Sequence, residues 1–275
     1  MDWKKVLPLP EGIDVDWNAA REIRLRPGQP VEALFPRGCR RWGAPLTGQQ
    51  VLQAAQALSA QGLAAHSQEL ARGYLPLEGG HRLGVAGVMG EGRLREITSL
   101  CLRIAHQILG CGEEIFPHIR GRSALIIGPP GGGKTTLLRD LIRCWGLAGY
   151  QVGIADERGE IAACREGVPQ LDVGPRADVI TGLEKAAAIP LLIRAMSPQL
   201  IAADELGHAG DAQALSDARR CGVQVLATIH GWDEGDIRRR QGVRSLLEEG
   251  IFDALVMLDG PGKQPTIKIL REHTG

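Results

Sequence analysis

The chain lacks the marks of a zinc protein, a disulfide-stapled protein or a nucleic-acid motor. Its six cysteines lie far apart, with no C-x-x-C pair and no paired histidines at a ligand spacing, so neither a zinc site nor a disulfide framework is predicted. Aromatic residues make up 4% of the chain, and 32 basic residues balance 32 acidic ones. Single-strand channels use basic grooves and stacking rings, so no nucleic-acid partner is expected.

Long apolar runs are missing too. The N-terminus, beginning Met1-Asp-Trp-Lys-Lys, has no signal-peptide core, and no run approaches the ~20 apolar residues of a spanning helix. We therefore expect a cytoplasmic protein with reduced thiols that reaches a membrane only through protein partners. Its 275 residues are enough for two ordinary domains.

A complete phosphate-binding loop is present instead. The apolar run 124–127 leads into G-P-P-G-G-G-K-T-T and a helix-forming run, the strand-turn-helix order that a Walker A pattern requires. Glycines leave backbone N–H groups open to an anion, and the helix N-terminus adds a positive dipole end. The predicted nucleotide-binding residues are Gly128, Pro129, Pro130, Gly131, Gly132, Gly133, Lys134, Thr135 and Thr136.

Two carboxylates farther along complete a site for ATP and Mg²⁺. The apolar run 199–203 ends in Asp204 and Glu205, which is a Walker B arrangement once a Walker A loop precedes it. Lys134 is predicted to contact the β- and γ-phosphates, and Thr135 and Asp204 to hold Mg²⁺. Glu205 is the predicted base that orients and deprotonates the attacking water.

Further strand-sized runs indicate the fold around this site. The run 151–155 ends in the acidic segment 156–160, and the run 222–229 ends at His230. A lone histidine is usually structural, but at the carboxyl end of a strand it favours a sensor of the γ-phosphate. Helix-sized intervals separate the strands, so we predict an α/β RecA-like P-loop NTPase core with a mainly parallel sheet, closed by strands at 252–258 and 266–270.

The part of the chain before the loop mixes strand and helix patterns. These are a strand at 22–26 with a partner starting at Pro30, a helix capped by Thr47 and ending at Gly62, a short helix at 67–71, a hairpin around Gly79-Gly80, and a helical apolar pattern at 99–108. We predict a smaller α+β N-terminal domain over residues 1–112 and a RecA-like ATPase domain over residues 113–275.

The sequence leaves the roles of several arginines outside the loop open. The cluster Gly79-Gly80-His81-Arg82 is either a tight turn or a place where Arg82, with Arg72 or Arg103, faces the nucleotide or a neighbouring subunit. The run 238–240 of three arginines is predicted to be a solvated face. Transition-state charge in ATP hydrolysis needs a further cation, for which Arg194 and Arg158 are the candidates.

These motifs together resemble the stage III sporulation protein AA family. The resemblance rests on the P-loop, on D-E-R-G-E-I-A at 156–162, on the stretch 193–207, on A-T-I-H-G at 227–231, and on upstream matches at 22–26 and 73–84. That family is similar to the ATPases of type II and type IV secretion and pilus machines. The resemblance implies that Glu157 and Glu160 lie in an acidic box, with Glu157 among the catalytic residues, and that His230 lies in a His box.

The same resemblance implies a biological role. It suggests a cytoplasmic ATPase on the mother-cell side that drives a channel between mother cell and forespore, and its secretion relatives form hexameric rings with ATP between subunits. The chain departs from those relatives in having Asp204-Glu205 instead of Gly-Glu, in lacking a tetracysteine zinc module, and in being shorter.

Two other functions share the same core. A nucleic-acid motor is opposed by the neutral charge and scarce aromatics, and a nucleotide-gated scaffold that does not hydrolyse is opposed by Glu205.

Overall fold

The computed structural model describes residues 3–13, 15–59, 74–90, 93–260 and 263–272. The chain divides into two compact units, one of residues 1–106 with 163–170, and one of residues 107–162 with 171–275. The predicted domain boundary after residue 112 stays a prediction.

The first unit is built on a six-stranded antiparallel sheet. Its elements are β1 (Glu22–Leu25), β2 (Val31–Phe35), β3 (Gly38–Trp42), α1 (Gly48–Leu58), β4 (Leu75–Pro76), β5 (Arg82–Gly90) and β6 (Arg93–Arg103). The strands lie in the order β3-β2-β1-β6-β5-β4. Ile23 and Leu25 of β1 are buried beside α1 residues such as Val51 and Ala55, which explains the alternation of β1.

Helix α1 begins as predicted and ends earlier than predicted. Thr47 forms a capping box with Gln50, whose backbone N–H donates to the threonine oxygen at 3.2 Å. The helix ends at Leu58, not at Gly62, with Ser59 as its C-cap residue, and the Ser59 hydroxyl donates to the carbonyl oxygen of Gln56, which is one of the last carbonyls of the helix. The predicted helix at 67–71 lies outside the described residues.

The predicted helical pattern at 99–108 is wrong. Residues 99–103 belong to β6, which pairs with β1 on one side and β5 on the other, so that Leu100 lies opposite both Leu25 and Val85. Leu100 and Leu102 are buried while Cys101 between them is partly exposed, a period of two. Pairing with two neighbouring strands overrides the local spacing of apolar residues.

The cluster at 79–82 forms a turn, which is the first of the two alternatives that the sequence left open. Gly79 and Gly80 have φ of 78° and 80°, and β4 and β5 pair antiparallel around them. His81 is only partly exposed: its ring packs edge-on against Trp3 at 5.2 Å, and its Nδ1 accepts from the backbone N–H of Ala105. Burial, followed by the charges of His106 and Lys4, lowers the pKa of His81.

The second unit is a seven-stranded, mainly parallel sheet with helices between its strands. Its elements are α2 (Phe116–Ile119), β7 (Ala124–Gly128), α3 (Lys134–Leu147), β8 (Val152–Asp156), β9 (Ala177–Thr181), α4 (Lys185–Met196), β10 (Leu200–Ala203), α5 (Ala209–Arg220), β11 (Gln224–His230), α6 (Glu234–Arg238), α7 (Gln241–Glu248), β12 (Ala254–Met257) and β13 (Thr266–Ile269). Every residue of β7, β8 and β10 is buried, because both faces of the sheet are covered.

Strand order places the motifs at one edge of this sheet. The order is β13-β12-β7-β11-β10-β8-β9, with β13 alone antiparallel to its neighbour among the described strands. Ala203 of β10 pairs with Ala155 of β8 and Ala227 of β11, so the residues that follow these three lie side by side. Strand β9 was not predicted, since its sequence A-D-V-I-T carries no continuous apolar run.

The longest described helix, α3, has 14 residues. Within the described ranges, no helix combines the length and the apolar character of a membrane span.

Candidate nucleotide site

The phosphate loop connects the end of β7 to the start of α3. Gly133 is the N-cap of α3 and has a φ of 91°, a backbone conformation that favours glycine. A Cβ on Gly132 would lie 3.0 Å from the carbonyl oxygen of Pro129, so the loop is too tight for a side chain there. The loop therefore presents bare backbone at a helix N-terminus, which is the geometry of an anion site.

Lys134 is the first residue of α3 and folds back over the loop. Its ammonium lies 2.9 Å from the carbonyl oxygen of Pro129 and 2.8 Å from Nδ1 of His230. Burial lowers the pKa of Lys134, while the negative charges of Asp204 and Glu205 oppose this shift. A buried ammonium held by two acceptors is poised to receive anionic oxygens.

The two predicted metal ligands contact each other. The Thr135 hydroxyl donates to Oδ2 of Asp204 at 2.7 Å. The other carboxylate oxygen of Asp204 accepts from the hydroxyl of Thr228, which is fully buried on β11. A threonine hydroxyl beside a carboxylate is an oxygen donor set that suits Mg²⁺.

Thr228 also links the two carboxylates of the Walker B segment, a role that the sequence did not reveal. Its hydroxyl oxygen accepts from the backbone N–H of Glu205 at 2.8 Å while its proton goes to Asp204. Glu205 has a φ of 47°, which is uncommon for a residue with a side chain. The hydrogen bond from its N–H helps hold this conformation.

Glu205 lies between a histidine and an arginine. Its Oε1 is 3.2 Å from Nε2 of His230, and its Oε2 is 2.6 Å from Nη1 of Arg158. Because the Lys134 ammonium can only donate, Nδ1 of His230 must accept, which leaves Nε2 as the N–H that donates to Glu205. Lys134, His230, Glu205 and Arg158 thus form one chain of polar contacts.

The loop and these side chains enclose a cavity of about 330 Å³. Its lining combines the P-loop with residues from three other strand ends: Gly131, Gly132, Gly133, Lys134, Thr135, Thr136, Glu160, Asp204, Glu205 and His230. The sequence therefore identified nearly every residue that lines the cavity. Gly128, Pro129 and Pro130, which begin the same loop, are not among the residues that line the cavity.

The acidic segment places Glu160, not Glu157, at the cavity. Glu157 instead makes an ion pair of 2.6 Å with Lys185, a buried residue at the start of α4. That hydrogen bond lowers the pKa of Glu157. Lys185 also lies 3.9 Å from Asp211, whose Oδ2 accepts the backbone N–H groups of Gly207 and His208. Glu157 thus ties the acidic segment to the start of α5.

Arg194 lies near the amino ends of the parallel strands, whereas the P-loop lies at their carboxyl ends. It is exposed in the last turn of α4, the helix that runs from the carboxyl end of β9 back to the amino end of β10. Arg158, by contrast, already contacts Glu205. The predicted role of Arg194 therefore stays a prediction, and within one chain its position is remote from the cavity.

The segment after His230 displays an indole to solvent. Trp232 is 75% exposed, and its backbone N–H is held by Oδ2 of Asp236 at 3.3 Å. The nearby arginines 238–240 are exposed and pair with Glu234 and Asp236 within the same short segment, in agreement with a solvated face.

This fold and cavity define a RecA-like P-loop NTPase core preceded by a smaller α+β unit, as predicted. Solved structures share the fold: the pilus retraction motor PilT with bound ADP has a TM-score of 0.62 at 18% identity, over 93% of this chain and 81% of that one. The ATPase DotB of Legionella pneumophila has a TM-score of 0.61 at 17% identity, over 86% and 72%.

The chain belongs to the family described as sporulation stage III, protein AA, whose model matches residues 4–275. The stage III sporulation protein AA of Bacillus subtilis (strain 168) is 38% identical over 268 residues, covering 90% of this chain and 85% of the relative. The Arabidopsis thaliana protein SEEDLING PLASTID DEVELOPMENT 1 is 32% identical over 66% of this chain but only 27% of its own length. The family resemblance expected from the motifs is confirmed.

Proposed function

We propose that this protein is a Mg²⁺-dependent ATPase that hydrolyses ATP to ADP and phosphate. The observation that carries the proposal is the Thr135–Asp204 contact of 2.7 Å beside the buried Lys134, at the mouth of a glycine loop. A phosphate cradle, a cation and an oxygen pair for a divalent metal come together there, which is the donor set that MgATP needs. ATP would supply the phosphoryl group and Mg²⁺ would neutralise its charge.

Each cavity residue except Thr136 has a stated task in this proposal. The N–H groups of Gly131 to Gly133 bind phosphate oxygens, Lys134 leaves His230 for the β- and γ-phosphates, and Thr135 and Asp204 hold the metal ion. Glu205 takes the proton of the attacking water, with its orientation set by the N–H of His230 Nε2. Glu160 adds a carboxylate on the cavity wall, where it can hold an outer-shell water.

Arg158 is the arginine that we propose completes the site. It lies in the acidic segment and contacts Glu205 at 2.6 Å, which places a guanidinium beside the proposed base, where a transferred phosphoryl group would need a further cation. We expect Arg158→Ala to lower ATP turnover by roughly 10²–10³ at saturating ATP. Arg194→Ala is the matched comparison, and equal losses in the two variants would require Arg194 to act from another subunit.

In the cell, we propose that turnover drives a sporulation channel between mother cell and forespore from the cytoplasmic, mother-cell side. Family membership supports the link to sporulation, and the fold shared with a pilus retraction motor and with the ATPase DotB supports a motor. The working form would be a homo-hexamer whose N-terminal domain contacts the next subunit's nucleotide, with Arg82 and Arg103 as the candidate contacts. Arg72, the third candidate, lies outside the described residues.

Two substitutions test the catalytic proposal. Lys134→Ala should weaken ATP binding at least about 30-fold, since a desolvated charged hydrogen-bond partner is worth 2 kcal/mol or more. Glu205→Gln should keep ATP binding and lower turnover by roughly 10²–10⁴. Nucleotide titration and phosphate release measure the two quantities, with the exposed Lys263→Ala and Glu248→Gln as controls. Parental turnover in Glu205→Gln would refute its assignment as the base.

Assembly is tested with the same hydrolysis-deficient variant. Sedimentation of Glu205→Gln at rising protein concentration, with and without MgATP, should show mass increasing with nucleotide, because a ligand bound preferentially by the assembled state shifts the equilibrium toward it. A monomeric mass under every condition, also with the cytoplasmic part of the channel partner present, would remove the ring.

A further inference from the structure

Two buried charged residues that do not line the cavity hold the acidic segment in place. Asp156, the last residue of β8, is 1% exposed, and Arg139 of α3 is 6% exposed. Burying a charge is costly unless it is fully hydrogen-bonded, so such residues need a structural or functional reason. The contacts of both converge on one short stretch of backbone, residues 160–162.

Asp156 binds the N–H side of this stretch. Its Oδ1 accepts from the backbone N–H groups of Glu160 at 2.8 Å and Ile161 at 3.0 Å, and its Oδ2 accepts from that of Ala162 at 2.9 Å. Three backbone donors are thereby bound to one carboxylate. The strand-end carboxylate that aligns with Asp204 across the sheet is therefore engaged in shaping the loop.

Arg139 binds the carbonyl side of the same stretch. Its Nε donates to the carbonyl oxygen of Ile161 at 2.6 Å and its Nη2 to that of Glu160 at 2.7 Å. The flat guanidinium fork matches two successive carbonyls, which a lysine ammonium cannot do. Since Arg139 lies five residues after Lys134 on α3, the helix that begins at the P-loop also fixes the acidic segment.

We propose that Asp156 and Arg139 are positioning residues that fix Glu160 against the cavity. Glu160 is the one residue of the acidic segment on the cavity lining, and both its N–H and its C=O are bound by these buried charges. The backbone that carries its carboxylate is thereby held at a set position beside the cavity that Thr135 and Asp204 also line. The inference rests on the proposed ATPase function for its catalytic consequence and on the backbone contacts alone for its structural part.

The kinetic test uses Arg139→Lys, which keeps the positive charge but removes the planar guanidinium that binds two successive carbonyls. We expect kcat to fall about 10–100-fold, the cost of a displacement of roughly 1 Å, with the KM for ATP within about threefold of the parent. The double variant Arg139→Lys/Glu160→Gln should be no slower than Glu160→Gln alone, since Arg139 acts through Glu160. Arg143→Lys, on the same helix and paired with Asp140 and Glu113, is the control and should leave kcat unchanged.

Multiplied losses in the double variant, or a KM that rises with the fall in kcat, would overturn the positioning role and leave Arg139 as a general stabiliser of the fold. A second measurement does not depend on turnover. Amide hydrogen exchange of Glu160, Ile161 and Ala162 should become at least about tenfold faster in Asp156→Asn and Arg139→Lys, because the variants lose contacts to this backbone. Unchanged exchange in both variants refutes the inference. If exchange is faster in the variants but the parent protein does not hydrolyse ATP, only the proposed ATPase function is refuted.

Discussion

Lys185 offers a sharp test of how the acidic segment is anchored to the rest of the second unit. Its ammonium is buried, 2.6 Å from Glu157 and 3.9 Å from Asp211, whose side chain is 4% exposed. Replacing it with methionine keeps the volume of the chain and removes the charge. Two carboxylates then remain near each other without the ammonium between them, and the side chain of Asp211 is almost wholly removed from water.

The expected cost follows from that burial. Removing one partner of a buried ion pair costs about 3–5 kcal/mol, because the remaining charge stays desolvated. Glu157 is 23% exposed and regains some water, so we expect the lower end, about 3 kcal/mol. In a unit of this size that corresponds to a fall in Tm of roughly 6–12 °C.

Lys268→Met is the matched control for this substitution. Lys268 pairs with Glu234 at 2.5 Å, but its side chain is 51% exposed, and exposed pairs contribute about 0–1 kcal/mol. Thermal and urea unfolding followed by circular dichroism measure both variants. If Lys185→Met and Lys268→Met lose the same stability, the buried ion pair does not hold the acidic segment and the reasoning fails.

Two further predictions concern titrating groups. The pKa of Glu157 is lowered from 4.5 by the Lys185 hydrogen bond, so its stabilisation is present above that value and is lost as pH falls through the lower folded value. The difference in unfolding free energy between the parent and Glu157→Gln should therefore shrink from about pH 5 downward, and a difference that is independent of pH would refute the shift. Burial, with a smaller contribution from Asp140, raises the pKa of Cys111 from 9.0 to about 11, although the residue itself is exposed. At pH 8, alkylation followed by mass spectrometry should find Cys111 roughly 100-fold slower than a thiol of ordinary pKa, and equal rates at Cys111 and the exposed Cys221 would contradict this.

Most residues of the cavity could be predicted from the sequence because they stand at, or directly after, the carboxyl ends of recognisable strands. A strand that ends in a glycine loop, a second that ends in Asp204 and a third that ends at His230 must meet at one edge if the strands are parallel. The motif does not specify which carboxylate of the acidic segment faces that edge. Glu160 does so because Asp156 and Arg139 turn the backbone, a contact between residues that are distant in sequence.

The errors in the predicted fold also arise from contacts between residues that are distant in sequence. The apolar residues at 100 and 102 fit a strand as well as a helix, and only pairing with β1 and β5 decides between them. Strand β9 is an edge strand whose residues are mostly half-buried, so it needs no apolar run to form. The role of Arg194 stays a prediction: it is near Asp204 in sequence, but strand β10 lies between them, so within one chain the two are at opposite ends of that strand.

The exposed indole of Trp232 gives the second unit a built-in optical reporter. That unit has two tryptophans. Trp145 is fully buried, with its ring edge-on to Phe116 and Tyr150. Trp232, two residues beyond His230, is 75% exposed. A water-exposed indole emits at longer wavelength than a buried one. Anything that covers the His230 end of β11, whether a nucleotide or another subunit, should shift the emission of Trp232 and leave that of Trp145 in place, so Trp232 can serve as a fluorescent probe without any attached dye.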